Sequence, residues 1–310
     1  MPRRGDRKRR RVGRGSGESR FVNRESKPIH DATTDDSGKT PAVALTIAGS
    51  DCSAGAGLQA DLKTFGAFGV FGLTAVTCVV AETPGKVSQI EGISPRNVRE
   101  QIELCLTNFP VRAMKTGLLF STEIVEMVAN LIEEKAKGIP LVIDPVMVAT
   151  SGDALLRPQA IDSYRRRLFR RAALVTPNMA EAAALSGKPV RDLNEMRSVG
   201  RELSEEFGTR VLLKGGHLAG ESAIDLLFDG SEVKEFTAPF IAGISTHGTG
   251  CTYSAAITAA LAQGDLLEEA IRRGKDFVSR AIGHCFVWEN SLGDIHALNH
   301  LFPGDCSPVR

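Results

Sequence analysis

Short apolar runs alternate along the chain with stretches of helical periodicity, and this alternation constrains the fold more than any other feature. The runs that have the length of a strand are apolar at successive positions rather than at every second one: 42–48, 73–81, 111–115, 141–143, 172–175 and 210–214. Such runs are typical of parallel strands covered by helices on both faces. The order therefore predicts an α/β fold, a three-layer α/β/α sandwich with a mostly parallel central sheet.

Local signals place two helices and one hairpin within this pattern. Residues 121–137 carry one apolar stripe, made of Ile124, Val125, Val128, Leu131 and Ile132. Asp192 with Glu195 three residues later resembles a capping box, which predicts a helix over 193–207. The runs 223–228 and 232–236 flank Asp229-Gly230, and this arrangement predicts a hairpin that closes the sheet.

The first 40 residues differ from the rest in composition. They carry 12 Lys and Arg against 6 Asp and Glu and almost no apolar residue, whereas the remainder carries 26 basic and 31 acidic residues. A segment so poor in apolar side chains cannot offset its ordering entropy, so we expect a disordered basic arm over 1–40 and one domain over 41–303. The arm's charge alone could attract nucleic acid, but without interleaved aromatics we interpret it as a dispensable extension and expect no nucleic-acid partner.

Composition also limits the compartment and the class of protein. No apolar run approaches the ~20 residues that a membrane span needs. The 6 cysteines form neither a CxxC pair nor a zinc-ligand pattern. We therefore expect a cytoplasmic protein without a membrane partner, in which any cysteine with a role has a chemical one.

Glycine clusters follow several predicted strands, at the edge where ligands bind to an open parallel sheet. The first, residues 49–57, follows the first strand, and Gly248-Thr249-Gly250 precedes the last large helix. Glycines ahead of a helix let the backbone approach a ligand, and the helix start offers N–H groups to an anion such as a phosphoryl group. Neither a Walker A loop nor a complete GxGxxG motif is present, and GTG before a helix is by itself a weak signal.

Several segments together resemble a known family. In chain order they are GSDCSAGAGLQADLKTF, MKTGLL, IDPVMVATSGDALL, TPNMAEAAAL, LLKGGH and STHGTGCTYSAA. They are similar to hydroxymethylpyrimidine/phosphomethylpyrimidine kinases of thiamine biosynthesis, which belong to the ribokinase-like superfamily. The resemblance implies a ribokinase-like fold, phosphotransferase activity, ATP and Mg²⁺ as cofactors, and a homodimer.

The resemblance gives catalytic roles to the GTGC segment. The amides of Gly248, Thr249 and Gly250 would form an anion hole for the migrating phosphoryl group. Cys251 would lie against the acceptor hydroxyl, as proton acceptor or as a positioning group. We expect the helix N-terminus to lower the pKa of its thiol from the usual ~8.5. A space-filling cysteine beside the glycines is the alternative.

Four further residues would serve ATP and the metal. Asn178 and Glu181 match the superfamily's NxxE motif, with Asn178 expected at the nucleotide and Glu181 at the metal. Taken without the resemblance, they are an ordinary helix cap with a glutamate in the first turn. Asp144, at a strand end before Pro145, would help to hold the metal through water. Lys214 would reach the nucleotide phosphates.

For the acceptor, the resemblance points to Gly49, Asp61 and position 82. The family pattern has glutamine there, in a run like VAQNT, whereas this chain has Glu82 in VAETP. A glutamine amide can donate to a ring nitrogen and accept from the neighbouring amine, whereas an ionised carboxylate only accepts. We therefore predict that the pyrimidine ring nitrogen is protonated when bound, unless Glu82 carries the proton itself. The alternative is that Glu82 faces solvent beside Pro84.

The activity that follows is ATP-dependent phosphorylation of 4-amino-5-hydroxymethyl-2-methylpyrimidine to its monophosphate and then to its diphosphate. Pyridoxal or pyridoxine kinase of the same superfamily is an alternative, since that ring also carries a hydroxymethyl group. A catalytically silent pyrimidine-binding protein is a second alternative, for which Glu82 would be the first sign.

Overall fold

The computed structural model describes residues 40–147, 158–216, 218, 222–244, 247–289, 291 and 293–301. The predicted basic arm falls outside these residues, apart from Thr40, and so do His217, Thr246 and Cys306.

A nine-stranded sheet forms the centre of the domain, in the order β3-β2-β1-β4-β5-β6-β7-β8-β9. The neighbours from β2 to β7 pair in parallel, whereas β3, β8 and β9 run antiparallel to the strands beside them. The strands are β1 Val43–Asp51, β2 Phe71–Thr83, β3 Lys86–Gly92, β4 Val111–Thr116, β5 Leu141–Ile143, β6 Leu174–Val175, β7 Val211–Gly215, β8 Ser222–Asp229 and β9 Glu232–Pro239.

Helices cover both faces of the sheet. They are α1 Gly57–Ala67, α2 Pro95–Asn108, α3 Thr122–Lys135, α4 Pro158–Ser163, α5 Met179–Ser186, α6 Leu193–Phe207, α7 Thr249–Gln263 and α8 Leu267–Gly283. A π-helical turn, Tyr164–Leu168, and a 3₁₀ turn, Phe169–Arg171, follow α4. The predicted three-layer sandwich with a mostly parallel sheet is confirmed.

The two layers of core show why the strands read as continuous apolar runs. In β5, Leu141 and Ile143 pack in the larger cluster with α2, α3, α5 and α6, while Val142 between them packs on the opposite face with α7 and α8. β7 repeats the pattern, with Leu212 facing α7 and its neighbours facing the other way. Both faces of the central strands are therefore buried, as parallel strands in this architecture require.

The predicted helices and hairpin are present with small differences at their ends. α3 begins after Ser121, whose side chain accepts from the Ile124 N–H, and α6 begins after Asp192, which accepts from the Glu195 N–H. Glu195 turns its own carboxylate to Arg191 rather than back to Asp192, so only half of the capping box forms. The hairpin of β8 and β9 turns at Asp229-Gly230 as predicted.

Three strands were not predicted. β3 follows β2 through the turn at Gly85, and most of its side chains are exposed or half-buried, so it lacks the apolar signal of the central strands. β10 Phe286–Trp288 and β11 Ile295–Ala297 form a separate antiparallel pair near the end of the described chain.

Candidate active site

The loop after β1 is organised around one buried carboxylate. Asp51 accepts hydrogen bonds from the Ser53 N–H (2.7 Å), the Ser53 hydroxyl (2.9 Å) and the Ala56 N–H (2.8 Å). Although burial alone would raise its pKa, hydrogen bonds from His247, Ala56 and Ser53 lower the pKa of Asp51 to about 2. The side chain is therefore a permanent anion that fixes the path of the chain into α1.

His247 links this loop to the start of α7. Its Nε2 lies 3.1 Å from Asp51 Oδ2, and its side chain is buried. Asp51, Glu82 and His247 each place one ligand atom within 4.8 Å of the others, so the half-buried Glu82 turns toward the site rather than toward solvent. Burial and the neighbouring Asp51 raise the pKa of Glu82, while His247 opposes them.

The glycines before α7 allow the two loops to touch. Gly248 has φ +82°, and a Cβ atom there would lie 1.8 Å from the Gly55 carbonyl oxygen. The first helical hydrogen bond joins the Thr252 N–H to the Gly248 carbonyl at 2.9 Å, so the amides of Gly250 and Cys251 point out of the helix end. This start of α7 has the geometry of an anion-binding site.

Cys251, in the first turn of α7, is partly exposed. Its sulfur accepts a hydrogen bond from the Gly57 N–H at the start of α1. The expectation that its pKa is lowered is wrong. Burial raises the pKa of the thiol to about 12; Lys115 and the Gly57 N–H oppose this, and Asp144 and Asp61 add to it. In the structure the side chain is therefore a neutral thiol at physiological pH.

A charged cluster lies beside the same helix end. Lys214 Nζ is 3.0 Å from Asp144 Oδ1, and a Cβ atom on Gly250 would lie 3.1 Å from that ammonium. Asp144 also accepts from the hydroxyls of Thr176 (3.3 Å) and Ser254 (3.2 Å). Although burial opposes it, the carboxylates of Asp144 and Glu181 raise the pKa of Lys214, which is a stable cation under the anion site.

Asn178 and Glu181 form a full capping box at the start of α5. The Asn178 side chain accepts from the Glu181 N–H, and Glu181 Oε2 accepts from the Asn178 N–H, both at 2.8 Å. The ordinary cap that their spacing alone suggested is thus present. The box nevertheless lies at the charged cluster, since Asn178 bridges to Lys214 in the sheet. Burial raises the pKa of Glu181 to about 7. The Lys214 ammonium opposes this shift, and the Asp144 carboxylate adds to it.

Gly49 and Asp61 lie below the surface of the site. Gly49 is in β1, where an added Cβ atom would lie 2.8 Å from Cys78 Sγ. Asp61 has no exposed surface, and Lys115 (2.7 and 2.9 Å) and Thr46 (2.6 Å) bind its carboxylate. In this structure Asp61 is therefore bound to the protein rather than directed at the acceptor.

Sequence reasoning gave no specific role to His247, Lys115 or His300. His300 Nε2 lies 2.9 Å from the Thr252 hydroxyl, which joins the end of the described chain to the first turn of α7. The partners of these side chains are 196, 54 and 48 residues away along the chain. The position of His247 directly before Gly248 was the one local signal for a role in the site.

The site lies at the carboxyl ends of β1, β2, β4, β5 and β7, where an open parallel sheet binds ligands. The model of the phosphomethylpyrimidine kinase family matches residues 51–296. The chain belongs to this family. The GTGC segment, Asn178 and Lys214, which the sequence singled out, lie at one edge of the sheet.

Curated relatives carry matching names. Over 257 residues the chain is 42% identical to the hydroxymethylpyrimidine/phosphomethylpyrimidine kinase of Streptomyces coelicolor, covering 83% of this chain and 94% of that protein. It is 40% identical to the Escherichia coli protein of the same name, covering 82% and 96%. Identity is 44% to a thiamine biosynthesis bifunctional protein of Geobacter sulfurreducens, with 77% of this chain covered. The chain spans about half the length of that relative, 48%.

Solved structures confirm the ribokinase-like fold. A pyridoxal kinase of Bacillus subtilis in complex with ADP superimposes with a TM-score of 0.77 at 38% identity, covering 84% of this chain and 98% of that one. A phosphomethylpyrimidine kinase from Clostridium difficile gives 0.68 at 37%, covering 77% and 99%. Among the described residues, no helix is both long and apolar enough to span a membrane.

Proposed function

We propose that the protein transfers the γ-phosphoryl group of ATP to the hydroxymethyl group of 4-amino-5-hydroxymethyl-2-methylpyrimidine, and then phosphorylates the monophosphate to the diphosphate. Family membership supports this function as part of thiamine diphosphate biosynthesis, and we place it in the cytoplasm. One observation supports it most: the backbone amides at the start of α7 adjoin the Lys214 ammonium of β7, beside Cys251 and the loop after β1.

The charge distribution indicates which part of the site would bind the phosphates of ATP. The phosphoryl group spreads negative charge over its oxygens during transfer, so catalysis requires fixed positive charge and N–H donors. The amides of Gly250 and Cys251, which point out of the start of α7, would supply donors together with those of Gly248 and Thr249, and the N-terminal end of the α7 dipole would add positive potential. Lys214 supplies the positive charge. Its side chain is held in place by the ion pair with Asp144 and is only 11% exposed.

The residues present fit a divalent cation. Asp144 and Glu181 are buried carboxylates with one ammonium, Lys214, near both, so the cluster carries an unbalanced negative charge when all three are ionised. Hard carboxylate oxygens in small number suit Mg²⁺, which keeps several of its waters. Asp144 and Glu181 would hold the ion; when bound, it supplies positive charge to the phosphate oxygens. Asn178 shapes this side of the site through the cap of α5.

At the acceptor end, Cys251 and Glu82 have different tasks. The Cys251 sulfur lies at the starts of both α1 and α7, which is where the hydroxyl that receives the phosphoryl group would lie. Glu82, beside Asp51 and His247, would bind the ring nitrogen and amine of the pyrimidine, with one proton shared between carboxyl group and ring. Gly49 and Asp61 support the floor of this pocket.

The second phosphorylation uses the same groups. The monophosphate presents its phosphate oxygen where the hydroxyl lay, so the amides at the start of α7 face both the incoming and the accepting phosphate. We propose that the protein acts as a homodimer, as its family resemblance implies.

Pyridoxal is the competing acceptor, because a pyridoxal kinase is among the structures most like this one. The deciding experiment incubates the full chain with Mg-ATP and either the hydroxymethylpyrimidine or pyridoxal, and separates the products by chromatography. We expect mono- and diphosphate of the pyrimidine and slower turnover of pyridoxal. Faster pyridoxal turnover would reverse the assignment, and binding without turnover of either would leave a silent binding protein.

A further inference from the structure

Three side chains that can bind a metal ion converge where the loop after β1 meets the start of α7. Asp51 ends β1, Glu82 lies near the end of the neighbouring strand β2, and His247 precedes the glycine before α7. Each offers one ligand atom, and the three atoms lie within 4.8 Å of one another. The cluster shares no residue with Asp144 and Glu181, the carboxylates that would hold the ion at the phosphates.

The backbone fixes the positions of these three residues. β1 and β2 pair in parallel, with Asp51 beside Val80. The Cys52 sulfur accepts from the Glu82 N–H at 3.3 Å, and the thiol donates to the Glu82 carbonyl at 3.2 Å. The hydrogen bond between His247 and Asp51 joins the third residue to the other two. A ligand set on such fixed elements is organised before any ion binds.

Asp51 and His247 already have the spacing of two ligands of one ion. Asp51 Oδ2 and His247 Nε2 are 3.1 Å apart. Two ligands of a tetrahedral zinc ion, each at about 2 Å from the metal, lie about 3.3 Å apart. An ion can therefore replace the proton between these two atoms with a shift of about 0.2 Å. The half-buried Glu82 carboxylate forms no hydrogen bond with any residue that the structure describes, so it is free to turn toward the ion.

Charge and hydrogen bonding in the cluster are both incomplete. In the described part of the chain, no lysine or arginine forms an ion pair with Asp51 or Glu82. The His247 side chain is only 8% exposed, yet its Nδ1 has no hydrogen-bond partner among the described residues. Buried polar atoms without a partner are uncommon in native proteins. A buried imidazole of this kind, directed at two carboxylates that lack a cation, indicates a site for a positive ion.

The ligand types select the class of ion. Imidazole nitrogen together with carboxylate oxygen suits zinc and similar transition metals, whereas Mg²⁺ is bound by oxygen ligands. We propose that Asp51, Glu82 and His247 form a binding site for a divalent transition metal ion, with Zn²⁺ as the probe, and that this ion and the acceptor ring exclude each other. The exclusion rests on the proposed function, which gives Glu82 to the pyrimidine; the metal site itself does not.

The test is a titration of Zn²⁺ into the full chain without nucleotide or pyrimidine, in competition with a coloured zinc chelator. Excess Mg²⁺ is present to occupy sites made of oxygen ligands alone, such as Asp144 with Glu181. The variant Glu82→Gln removes one carboxylate and keeps the shape of the side chain. Its matched control is Glu91→Gln, at an exposed position on the neighbouring strand β3.

We expect one tight Zn²⁺ site in the wild type and in the control, and a loss of affinity of about a hundredfold in Glu82→Gln. The reason is that changing even a group that only orients a metal ligand costs about 10–100-fold in affinity. Equal affinities in the wild type and Glu82→Gln would overturn the proposal.

Co²⁺ gives a second measurement that needs no variant, because coordination geometry is diagnostic of a site. A four-coordinate Co²⁺ ion absorbs visible light far more strongly than the hydrated ion does. We expect the wild type to develop these visible bands on addition of Co²⁺ and to lose them on addition of Zn²⁺. A spectrum that stays that of hydrated Co²⁺ would reject the site.

The exclusion is measured separately. With the pyrimidine at about ten times its Kd, the apparent Zn²⁺ affinity should fall by about tenfold. In turnover with Mg-ATP, Zn²⁺ should compete with the pyrimidine and not with ATP. Simultaneous binding of Zn²⁺ and pyrimidine would refute the exclusion. A chain that binds Zn²⁺ through Glu82 but never the pyrimidine would refute the proposed function and support the metal site.

Discussion

The substitution Glu82→Gln tests how the acceptor ring is recognised. A carboxyl group within 4.8 Å of Asp51 and His247 can match the donor and acceptor pattern of a 4-aminopyrimidine only when one extra proton is present, on the ring or on Glu82. Burial and the negative charge of Asp51 raise the pKa of Glu82, which makes the carboxyl group itself a carrier of that proton. A glutamine amide provides the same pattern with no proton.

The magnitude follows from proton linkage. If each bound pyrimidine requires one proton, its affinity falls by about tenfold per pH unit above the pKa of the group that supplies it. The direction of the pH dependence follows from the raised pKa of Glu82. Its protonated form dominates at low pH, so within the range from pH 5 to 8 the pyrimidine affinity of the wild type is greatest at pH 5 and declines toward pH 8. In Glu82→Gln this part of the decline disappears.

The assay is calorimetric titration of pyrimidine into the nucleotide-free protein from pH 5 to 8, in buffers of different ionisation enthalpy. We expect the wild type to take up close to one proton at pH 8 and Glu82→Gln to take up none. Glu91→Gln, an exposed position on the neighbouring strand β3, is the matched control and should behave as wild type. Parallel pH profiles for wild type and Glu82→Gln would refute the reasoning.

Three further predictions concern the loops and the end of the described chain. Asp51→Asn should lower the free energy of unfolding, measured in urea at pH 7, by about 2 kcal/mol. The reason is that folding lowers the pKa of Asp51 from 3.8 to about 2. The wild type keeps this contribution above pH 4 and loses it as the pH falls through 2. Gly248→Ala should abolish most of kcat, since the new Cβ would lie 1.8 Å from the Gly55 carbonyl oxygen, whereas Gly243→Ala, at φ +79° with open space around it, should cost only about 1–2 kcal/mol of stability and little activity. Burial lowers the pKa of His300 to about 4, so the neutral side chain is fully compatible with folding above pH 6.5, and stability is lost as the pH falls toward 4. Between pH 7 and 5, the free energy of unfolding in urea should therefore fall by about 2 kcal/mol more in the wild type than in His300→Gln. Equal decreases in the two proteins would contradict this.

The sequence predicted the layered fold because the signal is local. Each central strand carries its own apolar run, and each predicted helix its own stripe or cap. Strand β3 was not predicted, because it lies at the edge of the sheet, where apolar and polar side chains alternate without a continuous apolar run. The βαβ alternation predicted a mostly parallel sheet but not the order of its strands. The ends of β1, β2 and β9 extend beyond their apolar runs, since backbone pairing continues after the pattern stops.

The site was predictable in membership but not in electrostatics. The structure brings Gly248, Cys251 and Lys214 together, since they stand at strand ends and helix starts, and their roles stay predictions. The expected direction of the Cys251 pKa shift was wrong, because burial and the distant carboxylates of Asp144 and Asp61 outweigh the dipole of α7, and the local sequence shows none of these. Likewise Lys115 reads as the end of an ordinary strand until its partner, 54 residues earlier, is placed beside it.

The hydrogen bond between Asp51 and His247 joins the two halves of the site, which are the loop after β1 and the start of α7. Asp51 fixes the loop that starts α1, His247 directly precedes the glycine that starts α7, and the Gly55 carbonyl leaves no room for a side chain on Gly248. The acceptor loop and the anion-binding amides are therefore in direct contact at this junction. Glu82 lies against this junction, so its protonation should alter both pyrimidine affinity and the placement of the amides. A substitution at position 82 is thus expected to change KM and kcat together.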